Sequence, residues 1–191
     1  ASGARGATDV RIRARKDLGF PCVVKPNDQG SSVGMTVVRQ EEGLADAIRL
    51  AAEYSESIML ERYIPGRELT VSILEGHDLP VIEIVPNEGV YDYASKYTAG
   101  RTRYVVPAKL PEETAREAKR HGLKAFQSLN CGDYARVDFR LSPEGDLFCL
   151  EVNTLPGMTA TSLVPKAAEA AGIAFPELCA ILAGMALKRS R

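Results

Sequence analysis

At 191 residues the chain has the length of one domain or two small ones. Its 45% hydrophobic and 26% charged content excludes a disordered or fibrous protein. Lys and Arg total 24 against 25 for Asp and Glu, a net charge of -1 that argues against nucleic acid or a membrane surface as partner. No apolar run approaches the ~18–20 residues that cross a bilayer, and no signal segment opens the sequence, so a cytoplasmic location is expected. Cys22, Cys131, Cys149 and Cys179 form no CxxC pair, and His77 and His121 stand in no motif. Zinc chemistry and His-based nucleophilic catalysis lack their usual residues, so any metal is expected on oxygen ligands.

Residues 1–8 (ASGARGAT) are small and unpatterned, and order is expected from about Leu18. Residues 22–25 read as a β-branched strand stopped by Pro26, and 35–38 as its hairpin partner across the polar loop 27–34 (NDQGSSVG). Leu44, Ala47, Ile48 and Ala51 fall at helical spacing within 41–54, with acids at the start as the helix dipole prefers. Strands are expected at 58–63, 69–74 and 81–85, broken by Pro65-Gly66 and His77-Asp78. Residues 87–103 carry Gly and Tyr without period and read as a long loop, which in a compact domain suggests function.

Pro111 opens a helix to about Leu129, with acids in its first turn. Strands at 134–141 and 146–152, a loop at 153–161, and helices near 162–171 and 175–188 complete the chain. The order predicts an α+β fold of antiparallel sheets with helices packed on one side.

Ser142-Pro143-Glu144-Gly145 is a turn signal, so its flanking strands should pair antiparallel. A symmetric register sets Asp138 opposite Glu151, Arg136 opposite Asn153, Val137 opposite Val152, Phe139 opposite Leu150 and Leu141 opposite Phe148. One face is then apolar and the other carries the charges, and a slip would mix them. Two carboxylates facing each other, roughly 4.5–5.5 Å apart at Cβ, are unfavourable unless a cation joins them. Asn153 adds a neutral oxygen on the same face, completing the ligand set of a hard ion, Mg²⁺ or Mn²⁺. The alternative is a solvated face on which Arg136 and Arg140 neutralise the acids.

Lys25 and the small residues Gly30 to Gly34 could approach an anion through backbone N–H groups, although the segment is not a Walker loop. The alternative is a plain hairpin tip. Residues 61–68 (ERYIPGRE) read as a strand entering a Pro-Gly turn, able to meet a base and a ribose or to form an ordinary edge strand with snorkelling charges. Lys96 and Tyr97 lie in the long loop, where a solvated loop is the simpler reading.

Together, VVKPNDQGSSVGM (23–35), LERYIPGRELTV (60–71), YDYASKY (91–97), ARVDF (135–139), LEVNTLPGMTATSLVP (150–165) and AGIAFPEL (171–178) resemble one family, the D-alanine–D-alanine ligases of the ATP-grasp superfamily. The resemblance implies two α+β subdomains that hold ATP between mainly antiparallel sheets. Lys25 would contact the α- and β-phosphates, Glu61, Arg62 and Ile64 the adenine, Glu68 the ribose, and Lys96 the γ-phosphate. Asp138, Glu151 and Asn153 would hold two Mg²⁺ or Mn²⁺ ions. Arg136 and the Gly157 N–H would stabilise an oxyanion. Ser162 and Leu163 would receive the carboxylate of a second D-alanine, and Ser31 and Tyr97 would help seal the site. The implied reaction joins two D-alanines through an acyl phosphate, for peptidoglycan precursor synthesis.

Family members begin with a further α/β domain and carry an upstream ATP-contacting Lys, and nothing before Leu18 matches either. Residues 1–17 are accordingly expected to be a remnant, 18–67 an incomplete small ATP-grasp subdomain, and 68–191 the C-terminal subdomain. The two expectations are the ATP-grasp portion of a ligase, poorly active as an isolated chain, or a non-catalytic nucleotide- or partner-binding module. A homodimer is compatible with either.

Overall fold

A computed structural model describes residues 14–86 and 102–189. The chain divides after Tyr63 into two compact units, so that Ile64 and Glu68 belong to the second.

In the first unit a π-helical turn, Ala14–Leu18, precedes β1 (Cys22–Pro26), β2 (Thr36–Val38), a 3₁₀ turn (Glu41–Gly43), α1 (Leu44–Ala52) and β3 (Ile58–Arg62). The antiparallel order is β2-β1-β3, which confirms the expected hairpin. Alternation divides the sheet cleanly. Cys22, Val24 and Val38 meet Leu44, Ala47 and Ala51 of α1 in a core joined by Ile58 and Leu60. The opposite face presents Val23, Lys25, Val37, Met59 and Glu61, which the register places side by side.

The second unit holds β4 (Arg67–Leu74), β5 (Ile82–Pro86), β6 (Thr102–Val105), α2 (Glu112–Ser128), β7 (Tyr134–Leu141), β8 (Leu147–Asn153), α3 (Leu163–Ala170) and α4 (Phe175–Arg189). Its five-stranded sheet runs β6-β5-β4-β7-β8, antiparallel throughout. β6 overlaps the end of the expected loop 87–103. Its Thr102 and Arg103 become strand by pairing with Pro86 and Val85. The rest of that loop, including Lys96 and Tyr97, lies outside the described residues.

Leu69, Val71, Val137, Phe139 and Leu141 form a core with Ala118 of α2. Helix and strand approach closely there, because a Cβ on Gly122 would lie 3.0 Å from Val71 Cγ1. The helices are not confined to this side. Lys166 of α3 sits 5.6 Å from the ring centre of Tyr104, whose pairing with Ile84 puts it on the other face. That face carries Leu74, Ile82 and Ile84, all buried, so part of it also requires a cover. No single described helix is long and apolar enough to cross a membrane.

The β7–β8 register holds only where the charges are. Asp138 faces Glu151, Val137 faces Val152 and Arg136 faces Asn153. Beyond a bulge, however, Phe139 faces Cys149 rather than Leu150, and Leu141 faces Leu147 rather than Phe148. Two constraints cause this. The turn closes through Ser142 N–H to Asp146 O (2.9 Å) with Gly145 at φ +96°, a three-residue loop rather than the symmetric two-residue one. Leu147 and Val152 both pack on the core, and an odd separation on one face requires one extra residue, Leu150. Phe148 and Leu150 are thereby left 40% exposed, so the opposite face is not purely polar.

Gly66 (φ +110°) presses against β7, and a Cβ there would lie 2.1 Å from the Leu141 carbonyl oxygen. Gly145 shares the left-handed backbone but faces open space. Urea unfolding should show Gly66→Ala costing about 2–3 kcal/mol against about 1–2 kcal/mol for Gly145→Ala. Equal costs would mean the contact with Leu141 is unimportant.

Candidate nucleotide and metal site

On the sheet face of the first unit opposite α1, Lys25 Nζ lies 2.7 Å from Glu61 Oε2. Lys25 pairs with Met59, and Glu61 with Val23, so the ion pair spans the strands diagonally among apolar neighbours. Apolar side chains beside an ammonium would suit a heterocycle with an anionic tail. Arg62 alternates to the other side, where its Nη2 donates to the Asp17 carbonyl at 3.4 Å. Any base contact at Arg62 is therefore left to its backbone.

The tip after β1 is tightly constrained. Val33 N–H donates to Gly30 O (3.2 Å) and Met35 N–H to Ser32 O (3.3 Å). Ser31 (φ 56°) and Ser32 (φ 60°) both occupy the left-handed region, which L-residues avoid. Consecutive residues of this kind store strain, a feature of ligand clamps. Gly34 (φ 68°) leaves no room for a side chain, since its Cβ would lie 2.7 Å from the Tyr54 ring.

In the second unit the charged residues converge on the β7–β8 face. Asp138, only 8% exposed, accepts from Thr70 Oγ1 at 2.6 Å, from Arg136 Nε at 2.9 Å and from Arg136 Nη2 at 2.8 Å. The same guanidinium lies 3.8 Å from Glu151 Oε1, and Asn153 Nδ2 donates to that oxygen at 2.8 Å. Arg136 thus joins two carboxylates that the strand register sets against each other. Among the described residues no group of three or more His, Cys, Asp and Glu is placed to hold a metal ion, and a third oxygen here would be the amide oxygen of Asn153. The donors fit a hard divalent ion: all are oxygens, and the position already draws a positive charge.

Glu68 is the exception to this convergence. Its carboxylate lies 3.5 Å from Arg140 Nη1. Ile64, assigned to the adenine by resemblance, has its carbonyl bound to Arg140 Nε at 3.0 Å.

Ser162 precedes α3, yet its hydroxyl does not cap that helix. Ser162 Oγ instead accepts from Thr159 N–H at 3.1 Å and lies 2.9 Å from Thr159 Oγ1. Gly157 packs against it, since a Cβ there would lie 3.1 Å from Ser162 Oγ. The first turn of α3, beginning at Leu163, therefore lacks a side-chain cap, the condition under which helix N–H groups accept a carboxylate.

Thr70, fully buried, escaped the sequence reading. The available signal was alternation: Thr70 and Ser72 interrupt Leu69, Val71 and Ile73, and so must line the opposite face. Replacing Thr70 by Val keeps the shape but strips a buried carboxylate of its shortest hydrogen bond. Thermal or urea unfolding should show a loss of about 1–3 kcal/mol, with Thr70→Ser close to the parent. Equal stability of the Val variant would remove the hydroxyl from the account.

Cys149 immediately precedes the bulged Leu150. Burial pushes its thiol up, and the carboxylates of Asp138 and Glu151 push the same way. Asp138→Asn deletes one of these charges, lowers the thiol's value and enlarges the thiolate fraction at pH 8. Iodoacetamide should then label Cys149 faster in that variant, as read by peptide mass spectrometry, and an unchanged rate would contradict the coupling.

A family model described as "D-ala D-ala ligase C-terminus" matches residues 4–183. The chain is 54% identical over 172 residues to a D-alanine–D-alanine ligase of Anaeromyxobacter sp. (strain Fw109-5), covering 90% of this chain and 56% of that protein. It is 48% identical over 189 residues to the ligase of Anaeromyxobacter dehalogenans (strain 2CP-C), covering 98% and 59%. Among solved structures, a D-alanine–D-alanine ligase from Bacillus anthracis aligns with TM-score 0.80 at 38% identity, over 93% of this chain and 58% of that one. The VanG D-Ala:D-Ser ligase from Enterococcus faecalis aligns with TM-score 0.81 at 28% identity, over 95% and 54%. The chain thus spans little more than half the length of these relatives, and its α+β fold is that of the ATP-grasp D-alanine ligases. With the match extending over nearly all of its residues, the chain belongs to the D-alanine–D-alanine ligase C-terminal family.

Proposed function

We propose that this chain carries the nucleotide- and metal-binding part of an ATP-dependent ligase that joins two D-alanines in the cytoplasm for peptidoglycan precursor synthesis. The observation that carries the reading is the opposition of Asp138 and Glu151 across β7 and β8, with Asn153 beside them and a positive group already drawn between them. A relative from Bacillus anthracis that aligns with TM-score 0.75 at 35% identity is described as complexed with ATP, which supports a nucleotide as the ligand here.

In this reading Asp138, Glu151 and Asn153 hold divalent ions, Mg²⁺ or Mn²⁺, which neutralise charge on the phosphates when bound. Lys25 leaves Glu61 for the α- and β-phosphates. Glu61, Arg62 and Ile64 line the adenine, the last two through their backbones, and Glu68 accepts from the ribose hydroxyls. Lys96, by resemblance, meets the γ-phosphate. A D-alanine carboxylate oxygen attacks the γ-phosphorus, ADP leaves, and an acyl phosphate forms. The amine of a second D-alanine, its carboxylate held at Ser162 and Leu163, then attacks the acyl carbon. Arg136 and the Gly157 N–H stabilise the negative oxygen that develops, and phosphate departs. Ser31 and Tyr97 close over the intermediate, which water would otherwise hydrolyse.

Calorimetric titration with ATP, with and without Mg²⁺, tests the reading. Mg²⁺ should tighten nucleotide binding at least tenfold, and Asp138→Asn or Glu151→Gln should abolish that gain, along with any phosphate release on adding D-alanine. Binding that ignores both Mg²⁺ and the two substitutions would dismiss the site.

A further inference from the structure

Arg140 has no role in the reaction as proposed, yet its guanidinium meets two backbone carbonyls and a carboxylate. It lies in β7 directly opposite Glu68 of β4, with its side chain 18% exposed. Its Nε donates to the Ile64 carbonyl at 3.0 Å, its Nη2 to the Gly66 carbonyl at 3.0 Å, and its Nη1 reaches Glu68 Oε2 at 3.5 Å. Three nitrogens of one planar fork thus meet three acceptors within a five-residue segment. The same segment is pinned independently from its other side, because Gly66 packs its bare Cα onto the Leu141 carbonyl, one residue along β7.

We infer that Arg140 is a positioning residue for the sugar of the nucleotide: it locks the Ile64–Gly66 backbone and the Glu68 carboxylate into one rigid reader of the ribose hydroxyls. The inference rests on the proposed nucleotide site. A carboxylate selects a hydroxyl only if its oxygens are held in place, since a mobile glutamate trades that contact for water. The rigid guanidinium plane supplies the hold, and its fork reaches two carbonyls and a carboxylate at once. A lysine ammonium, a point charge on a flexible stem, keeps the attraction to Glu68 without the geometry. A merely structural ion pair would support folding but would leave the choice between ribose and deoxyribose untouched.

The test is calorimetric titration of the chain with Mg-ADP and with its 2′-deoxy and 3′-deoxy analogues. The parent should prefer the ribonucleotide about tenfold, the worth of one hydrogen bond to a charged acceptor. Arg140→Met and Arg140→Lys should both reduce that preference to within about threefold, and Glu68→Gln should do the same. Combining Arg140→Met with Glu68→Gln should add nothing further, because the arginine acts through the glutamate. If Glu68→Gln loses the preference while both Arg140 variants keep it, or if the double variant's losses add, Arg140 has no part in sugar reading. If the parent has no preference, or Glu68→Gln retains it, the ribose assignment itself is wrong and the role of Arg140 falls with it. Thermal unfolding of each variant identifies any that fails to fold. Arg140→Lys, which retains the charge beside Glu68, then decides alone.

Discussion

The second unit is organised around a repulsion it cannot escape. Asp138 and Glu151 face each other across β7 and β8, and neither strand can slip to part them, because Val137 and Val152, one step away, are held against the core. A one-residue shift would trade a charge for a valine on both faces. The conflict is therefore answered by side chains. Thr70 and Arg136 hold Asp138, while Arg136 and Asn153 reach Glu151. Two carboxylates fixed by the strand register and answered by one guanidinium offer oxygen donors and negative charge of the kind a hard divalent ion takes.

The bulge at Leu150 is what makes the opposition possible. Continued without interruption, the register set by the turn would bring Leu150 opposite Asp138 and Glu151 opposite the fully buried Val137. A carboxylate would then enter the core, at a cost no partner there could offset. The extra residue returns Val152 to the core and Glu151 to the polar side. An apparent irregularity in the ladder thereby sets two carboxylates against each other, and it leaves Leu150 exposed on an edge strand.

Local strain and close approach occur in each unit. Ser31 and Ser32 take left-handed backbones at the tip after β1, and Gly66 touches the backbone of β7 beside Arg140. Helix α3 begins without a side-chain cap because Ser162 is engaged with Thr159. Each feature departs from what the local sequence would adopt in isolation.

Much of this could be read in one dimension. Alternation, helical spacing and turn residues are properties of neighbouring backbone units, so they marked most strands, the helices and the opposed acids of the hairpin. They also made Lys25 and Asp138 conspicuous as charges among apolar neighbours, whereas Glu68 stood out only through the family resemblance. Tertiary structure settled the partners: Thr70 meets Asp138 across 68 positions, and Arg140 meets Gly66 across 74. It also recruited β6 into the sheet, placed α3 opposite α2 and inserted the bulge. The reason is physical: periodicity states which way a side chain points, whereas the neighbour it meets depends on which complete faces must be buried together, and that sum runs over residues far apart in the chain.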